Sequence, residues 1–183
     1  MNKDKKLIAE TTLLILKNKS WQNISLQEIR KKSKIKSFDL LITKKKNILK
    51  IINNYFDLQL SLNSKNIDQS NNKDMLFEII MMRFDILQIH RKAVLSIFNS
   101  LKKNPKDLIF FLKNLIDSII LILSLVKISY EGVIGQIKIK GILIIYISCF
   151  IVWIKDDTAG LEKTMTALDN YLDQAGKIIK FIN

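Results

Sequence analysis

The sequence predicts an all-α chain, and two patterns carry that prediction. Apolar residues recur at three- and four-residue spacing along nearly all of the 183 residues, and no sustained two-residue alternation of the kind a half-buried strand needs is present. Apolar residues make up 48% of the chain, enough to fill a core, which excludes wholesale disorder. The expected layout is a three-helix helix-turn-helix head over residues 1–60, a polar connector at 61–74 and a larger helical bundle over 75–183.

Each element has its own signal. Residues 4–18 form the first expected helix, with Leu7, Ile8, Thr11, Leu14 and Ile15 on one face, and Ser20-Trp21-Gln22-Asn23 breaks it. Ser25-Leu26-Gln27-Glu28 reads as a capping box: the Ser hydroxyl accepts from the amide of Glu28, and the Glu carboxylate reaches back. A short second helix follows to Ser33, then a turn, then a short third helix over about 37–43. Lys44, Lys45 and Lys46 lead into a longer fourth helix with Ile48, Leu49, Ile52, Tyr55 and Phe56 on its apolar face. Further helices are expected over 75–88, 91–101, 105–127, 131–155 and 161–181. Asn104 before the only proline, Pro105, fits an Asn cap with Pro at the first helical position. Asp156 and Asp157 precede the last helix, where the dipole favours acids.

Composition excludes several classes. One Cys rules out an internal disulfide framework and a Cys-rich zinc site, and one His leaves little for His-based metal binding or catalysis. Cys149 sits in an apolar run and His90 at a helix junction, and no phosphate-cradling Gly loop is present. The expectation is a protein that is not an enzyme and needs no cofactor. The charged start has no apolar signal region behind it, so a cytoplasmic location is expected. Residues 141–154 are uncharged but too few to span a bilayer, and Lys138, Lys140 and Lys155 bound them. No transmembrane span is expected, although peripheral contact with an acidic membrane face is compatible with the charge.

The net charge is +13. The 27 Lys against 3 Arg look like compositional drift in an AT-rich genome, which would inflate lysine without any binding role. Drift alone would spread the charge evenly, yet residues 1–70 hold 15 basic and 6 acidic residues, against 15 and 11 in the remainder. Arg30, Lys31, Lys32, Lys34, Lys36, Lys44, Lys45, Lys46 and Lys50 crowd one stretch that contains a single acid, Asp39. A local excess of this kind points to a polyanionic partner.

The three-helix head with Ser25-Leu26-Gln27-Glu28-Ile29 resembles the amino-terminal domain of TetR-family transcriptional regulators. The stretch from Leu76 to Leu87 with His90-Arg91-Lys92-Ala93 resembles a TetR-like subgroup. So do Trp153-Ile154-Lys155-Asp156-Asp157 and the run from Leu161 to Asp169, which are also similar to the TetR-like lipid-binding proteins of ubiquinone biosynthesis. The resemblance covers nearly the whole chain. It departs from the family where DNA reading would occur: the turn glycine is replaced by Lys34, the third-helix tyrosine by Leu41, and an aromatic residue with Pro-Ser-Lys by Lys44, Lys45, Lys46 and Asn47. A positive φ at Lys34 would be costly for a lysine.

The resemblance implies double-stranded DNA as partner. The third helix would enter the major groove with Ser37, Asp39, Ile42 or Thr43 near base edges, and Lys34, Lys36, Lys44, Lys45 and Lys46 would meet phosphates. It also implies a homodimer through the last two helices, which suits a helix over 131–155 that is apolar on more faces than its own body covers. TetR-like bodies wrap around a cavity. Met81, Phe84, Phe110, Phe111, Tyr146, Phe150 and Trp153, with Met75, Phe77 and Met82, are side chains that could line it for an apolar small molecule or lipid, core packing being their more ordinary role. The function expected is a DNA-binding regulator open to control by such a ligand. The alternative is a lipid- or isoprenoid-binding relative with a degenerate head.

Overall fold

A computed structural model describes residues 1–66 and 71–182, with side chains to 65 and from 71 to 176. Among these residues all regular structure is helical: α1 (Lys3–Ile15), a 3-10 turn (Trp21–Asn23), α2 (Leu26–Ser33), α3 (Phe38–Leu41), α4 (Lys46–Asn63), a second 3-10 turn (Ser64–Asn66), α5 (Asn72–Ile89), α6 (Arg91–Leu101), α7 (Pro105–Leu125), α8 (Gly132–Trp153) and α9 (Glu162–Ile182). Of the expected connector, 61–63 complete α4 and 72–74 begin α5, while 67–70 lie outside the described residues.

Short polar side chains start four of these helices, α1, α2, α5 and α7. Asn2 accepts from the Lys5 amide at 2.9 Å, Asn71 from Asp74 at 3.0 Å, and Asn104 from Asp107 at 3.3 Å. Each satisfies an amide that the helix itself leaves unpaired. Ser25 does the same for Glu28 at 3.1 Å. The Glu28 carboxylate does not reach back to complete the box. It takes the Lys19 ammonium at 2.9 Å and lies 3.5 Å from Lys32, and the Lys19 hydrogen bond is the main cause holding its pKa below the ordinary value.

Two readings of the head are corrected. The buried face of α1 is Ile8, Ala9, Thr12, Leu13 and Ile15, whereas Leu7 and Leu14 are 41% and 63% exposed. Thr12 is tolerated in that core because its hydroxyl donates to the Ile8 carbonyl at 2.7 Å. The third helix is only Phe38–Leu41, so Ile42 and Thr43 lie beyond it.

The described residues gather into two compact units, and neither is one stretch of chain: Met1–Leu62 with Asp85–Ser118, and Asn63–Phe84 with Ile119–Asn183. In the first unit α1 packs on α2, and α6 packs on the Trp21–Asn23 turn. A buried polar cluster joins α4 to α7. Asn53 donates to the Ser118 hydroxyl at 2.8 Å, and Ser118 donates to Asp57 at 2.9 Å.

In the second unit α8 packs on α9. The Lys73 ammonium on α5 bridges Asp169 at 2.8 Å and Asp173 at 2.6 Å on α9; these hydrogen bonds raise its pKa. Asp156, 0% exposed, organises the α8–α9 junction. Its carboxylate accepts from the amide of Thr158 and from the amide and hydroxyl of Thr164, the last two at 2.8 and 2.7 Å. Burial works to raise its pKa, but the hydrogen bonds from Thr158 and Thr164 together outweigh it and hold the group at about 2. Gly135 is required by packing: a Cβ there would stand 2.0 Å from the Tyr130 carbonyl group. By length and composition alone α7 and α8 could each cross a membrane, and 33% of the relevant window of each is buried within the chain.

Candidate nucleic-acid interface

The candidate interface is the surface of α2, its turn and α3. Lys34 ends α2 in the left-handed region at φ 54°, its amide donating to the Arg30 carbonyl at 3.0 Å. This is the helix stop that glycine ordinarily serves. α3 and its flanking residues are held at four points. Phe38 and Ile42 are buried at 1% and 3% exposure. Ser37 donates to Asp4 of α1 at 2.8 Å, and Arg30 of α2 pairs with Asp39 at 2.8 Å.

Around this frame an open depression of about 360 Å³ is lined by Gln27, Arg30, Lys31, Lys34, Ile35 and Lys36. Lys34, Lys36 and Lys44 are exposed, free to meet a polyanion at the surface. Lys45 is differently placed. Its ammonium donates to the carbonyls of Trp21 and Gln22 and stands 4.9 Å above the Trp21 ring, and burial lowers its pKa. The Trp21 amide in turn donates to Ser96 on α6 at 2.7 Å. Lys45 therefore fastens the start of α4 to the first 3-10 turn. Lys46 lies 5.1 Å from the Phe110 ring.

Among the positions expected near base edges, Ile42 is corrected: its side chain belongs to the core and offers nothing to a groove. Ser37 and Asp39 engage Asp4 and Arg30, and Thr43 is exposed with its hydroxyl accepting from Asn47 at 3.4 Å. Sequence reasoning passed over Gln27, Arg30 and Lys31 as site residues, although their spacing with Lys34 already places them on one helical face. It also passed over Leu40, whose 87% exposure is the highest among large apolar side chains of the described residues.

The expected ligand-lining residues divide between the units. Met81, Phe84, Tyr146, Phe150 and Trp153 belong to the second, where Phe84 stacks on Tyr146 at 5.3 Å and Phe150 on Trp153 at 5.4 Å. Buried Arg83 donates to the Tyr146 hydroxyl at 3.1 Å. Phe110 and Phe111 belong to the first unit and are partly exposed. Cys149 is fully buried, and burial pushes its thiol up to about 12, so no thiolate is available near neutrality. His90 packs against the rings of Tyr55 and Phe56, with its pKa lowered by burial and then by the charge of Lys17.

No protein-family model matches the chain, and no curated protein matches it significantly. Among solved structures it is similar to the crystal structure of the TetR transcriptional regulator from Nitrosomonas europaea ATCC 19718. The TM-score is 0.75 at 15% identity, over 94% of this chain and 97% of that one. The likeness establishes the fold class as all-α and TetR-like.

Proposed function

We propose that the chain is a DNA-binding transcriptional regulator of TetR type, working as a homodimer through α8 and α9. The observation that carries this reading is the exposed basic surface of Arg30, Lys31, Lys34, Lys36 and Lys44 around a short third helix, on a TetR-like fold. Phosphate contacts orient a protein on duplex DNA, and a helix set among them is placed to approach base edges. Dimerisation is supported by a seven-residue repeat on α8: Ile134, Ile137, Ile144 and Ile151 are exposed, with Gly141 and Ser148 between them. Small and branched residues in that register suit a helix seam.

The test is binding to the chain's own upstream DNA against scrambled DNA of equal length at two salt concentrations. About four phosphate contacts per head, from Lys31, Lys34, Lys36 and Lys44, give about eight per dimer and predict a fall in affinity of roughly four orders of magnitude over a four-fold rise in salt, with the upstream DNA preferred. Equal binding to both duplexes would overturn sequence-specific regulation and favour the alternative, a lipid- or isoprenoid-binding relative similar to the ubiquinone-biosynthesis proteins. Control by an apolar ligand is a further part of the proposal, supported by the Met- and aromatic-rich second unit. Mass spectrometry of an organic extract of the purified protein would detect the ligand, and an empty protein would remove that part.

A further inference from the structure

We propose that Leu40 is the side chain through which α3 reads sequence, by packing on the 5-methyl group of a thymine in the major groove. The inference rests on the DNA-docking reading above and names the chemistry that reading leaves open. α3 has four residues, so few side chains can reach a base edge. Phe38 and Ile42 point inward, and Leu40, two residues from each, falls on the opposite face and is 87% exposed. Its neighbour Asp39 is exposed but neutralised by Arg30 at 2.8 Å, and the Ser37 hydroxyl is engaged by Asp4. The outward face of the helix is therefore apolar at its centre, with the exposed ammonium groups of Lys36 and Lys44 on either side in sequence. Those groups suit phosphates, which carry no sequence information. Leucine has no donor or acceptor, and the thymine methyl is the apolar group that base pairs display in the major groove.

The experiment selects duplexes from a random library with the intact protein, then replaces each thymine of the selected site by deoxyuridine, which removes the methyl group alone. Burying one methyl predicts a three- to five-fold loss of affinity, roughly, at one thymine per half-site. Leu40→Ala should keep the helical content and melting temperature, because the residue is exposed, and should lose the response to deoxyuridine at that position. A wild-type protein indifferent to every replacement, or a Leu40→Ala variant as sensitive as wild type, would overturn the inference while leaving DNA binding intact. Failure to enrich any sequence would overturn the underlying reading together with it.

Discussion

Lys34 and Lys127 hold backbone conformations that glycine adopts without strain, at φ 54° and 60°. Each closes a helix. Lys34 donates its amide to Arg30, while Lys127 donates to Ser124 at 3.0 Å as Ile128 donates to Leu123 at 2.9 Å, the paired hydrogen bonds of a Schellman stop. A left-handed conformation costs a lysine about 1–2 kcal/mol, and glycine's greater freedom in the unfolded chain offsets part of the relief. Lys127→Gly should therefore raise stability by roughly 0.5–1 kcal/mol in denaturant unfolding. Lys34→Gly should give a similar gain while weakening DNA binding, since it also removes an exposed charge. A loss of stability in Lys127→Gly would refute the strain. The strain at Lys34 was legible in the sequence through the family resemblance, which puts a turn glycine at that position. That at Lys127 was not, since nothing near it marks where α7 stops. Ile42 was misplaced for a simpler reason: it stands four residues after Phe38, a spacing that puts it on the same inward face.

At the scale of elements, helix order was readable from periodicity, and asparagine caps mark three of the starts, those of α1, α5 and α7. Faces were harder. In α1 two overlapping sets at three- and four-residue spacing compete, and Ala9 and Thr12 carry too little apolar signal to show which is buried. The lysines before α4 look alike in sequence but do different work in the fold. Lys44 is exposed, whereas Lys45 ties two carbonyls of the Trp21–Asn23 turn to the start of α4. Lys44→Ala, which removes one phosphate contact from each head of the dimer, should lower the slope of log affinity against log salt by about 2 and leave unfolding unchanged. Lys45→Ala should cost about 1–3 kcal/mol of stability, because two carbonyls lose a charged donor. Denaturant unfolding and salt titrations of both variants, run in parallel, check the contrast, and identical behaviour of the two would contradict it. No sequence motif marks this role, because the partners of Lys45 are main-chain atoms more than twenty residues away.

For the whole molecule, the all-α architecture followed from pattern, but the composition of each compact unit did not. One change of unit, between Leu62 and Asn63, falls within the expected connector, but the other two fall between Phe84 and Asp85, inside α5, and between Ser118 and Ile119, inside α7, with no Gly or Pro to signal them. The apolar repeat of α8 was visible as an excess of isoleucine. Its register emerges only once burial separates Ile139, Ile142 and Ile145 on the inner side from Ile137, Ile144 and Ile151 on the outer. Ile144→Asp places a charge in the middle of that outer row and should convert a dimer into a folded monomer at micromolar concentration, as read by light scattering. A wild-type protein already monomeric there would remove the dimer from the proposed function.

Gly135 marks a place where the backbone admits no larger residue. At two helix ends lysine occupies the left-handed region, at an expense of about a kilocalorie or two of strain that the fold absorbs. At residue 135 the obstacle is of another kind, since a methyl group would occupy the space of a neighbouring carbonyl 2.0 Å away. Even alanine there would force the first turn of α8 away from Tyr130.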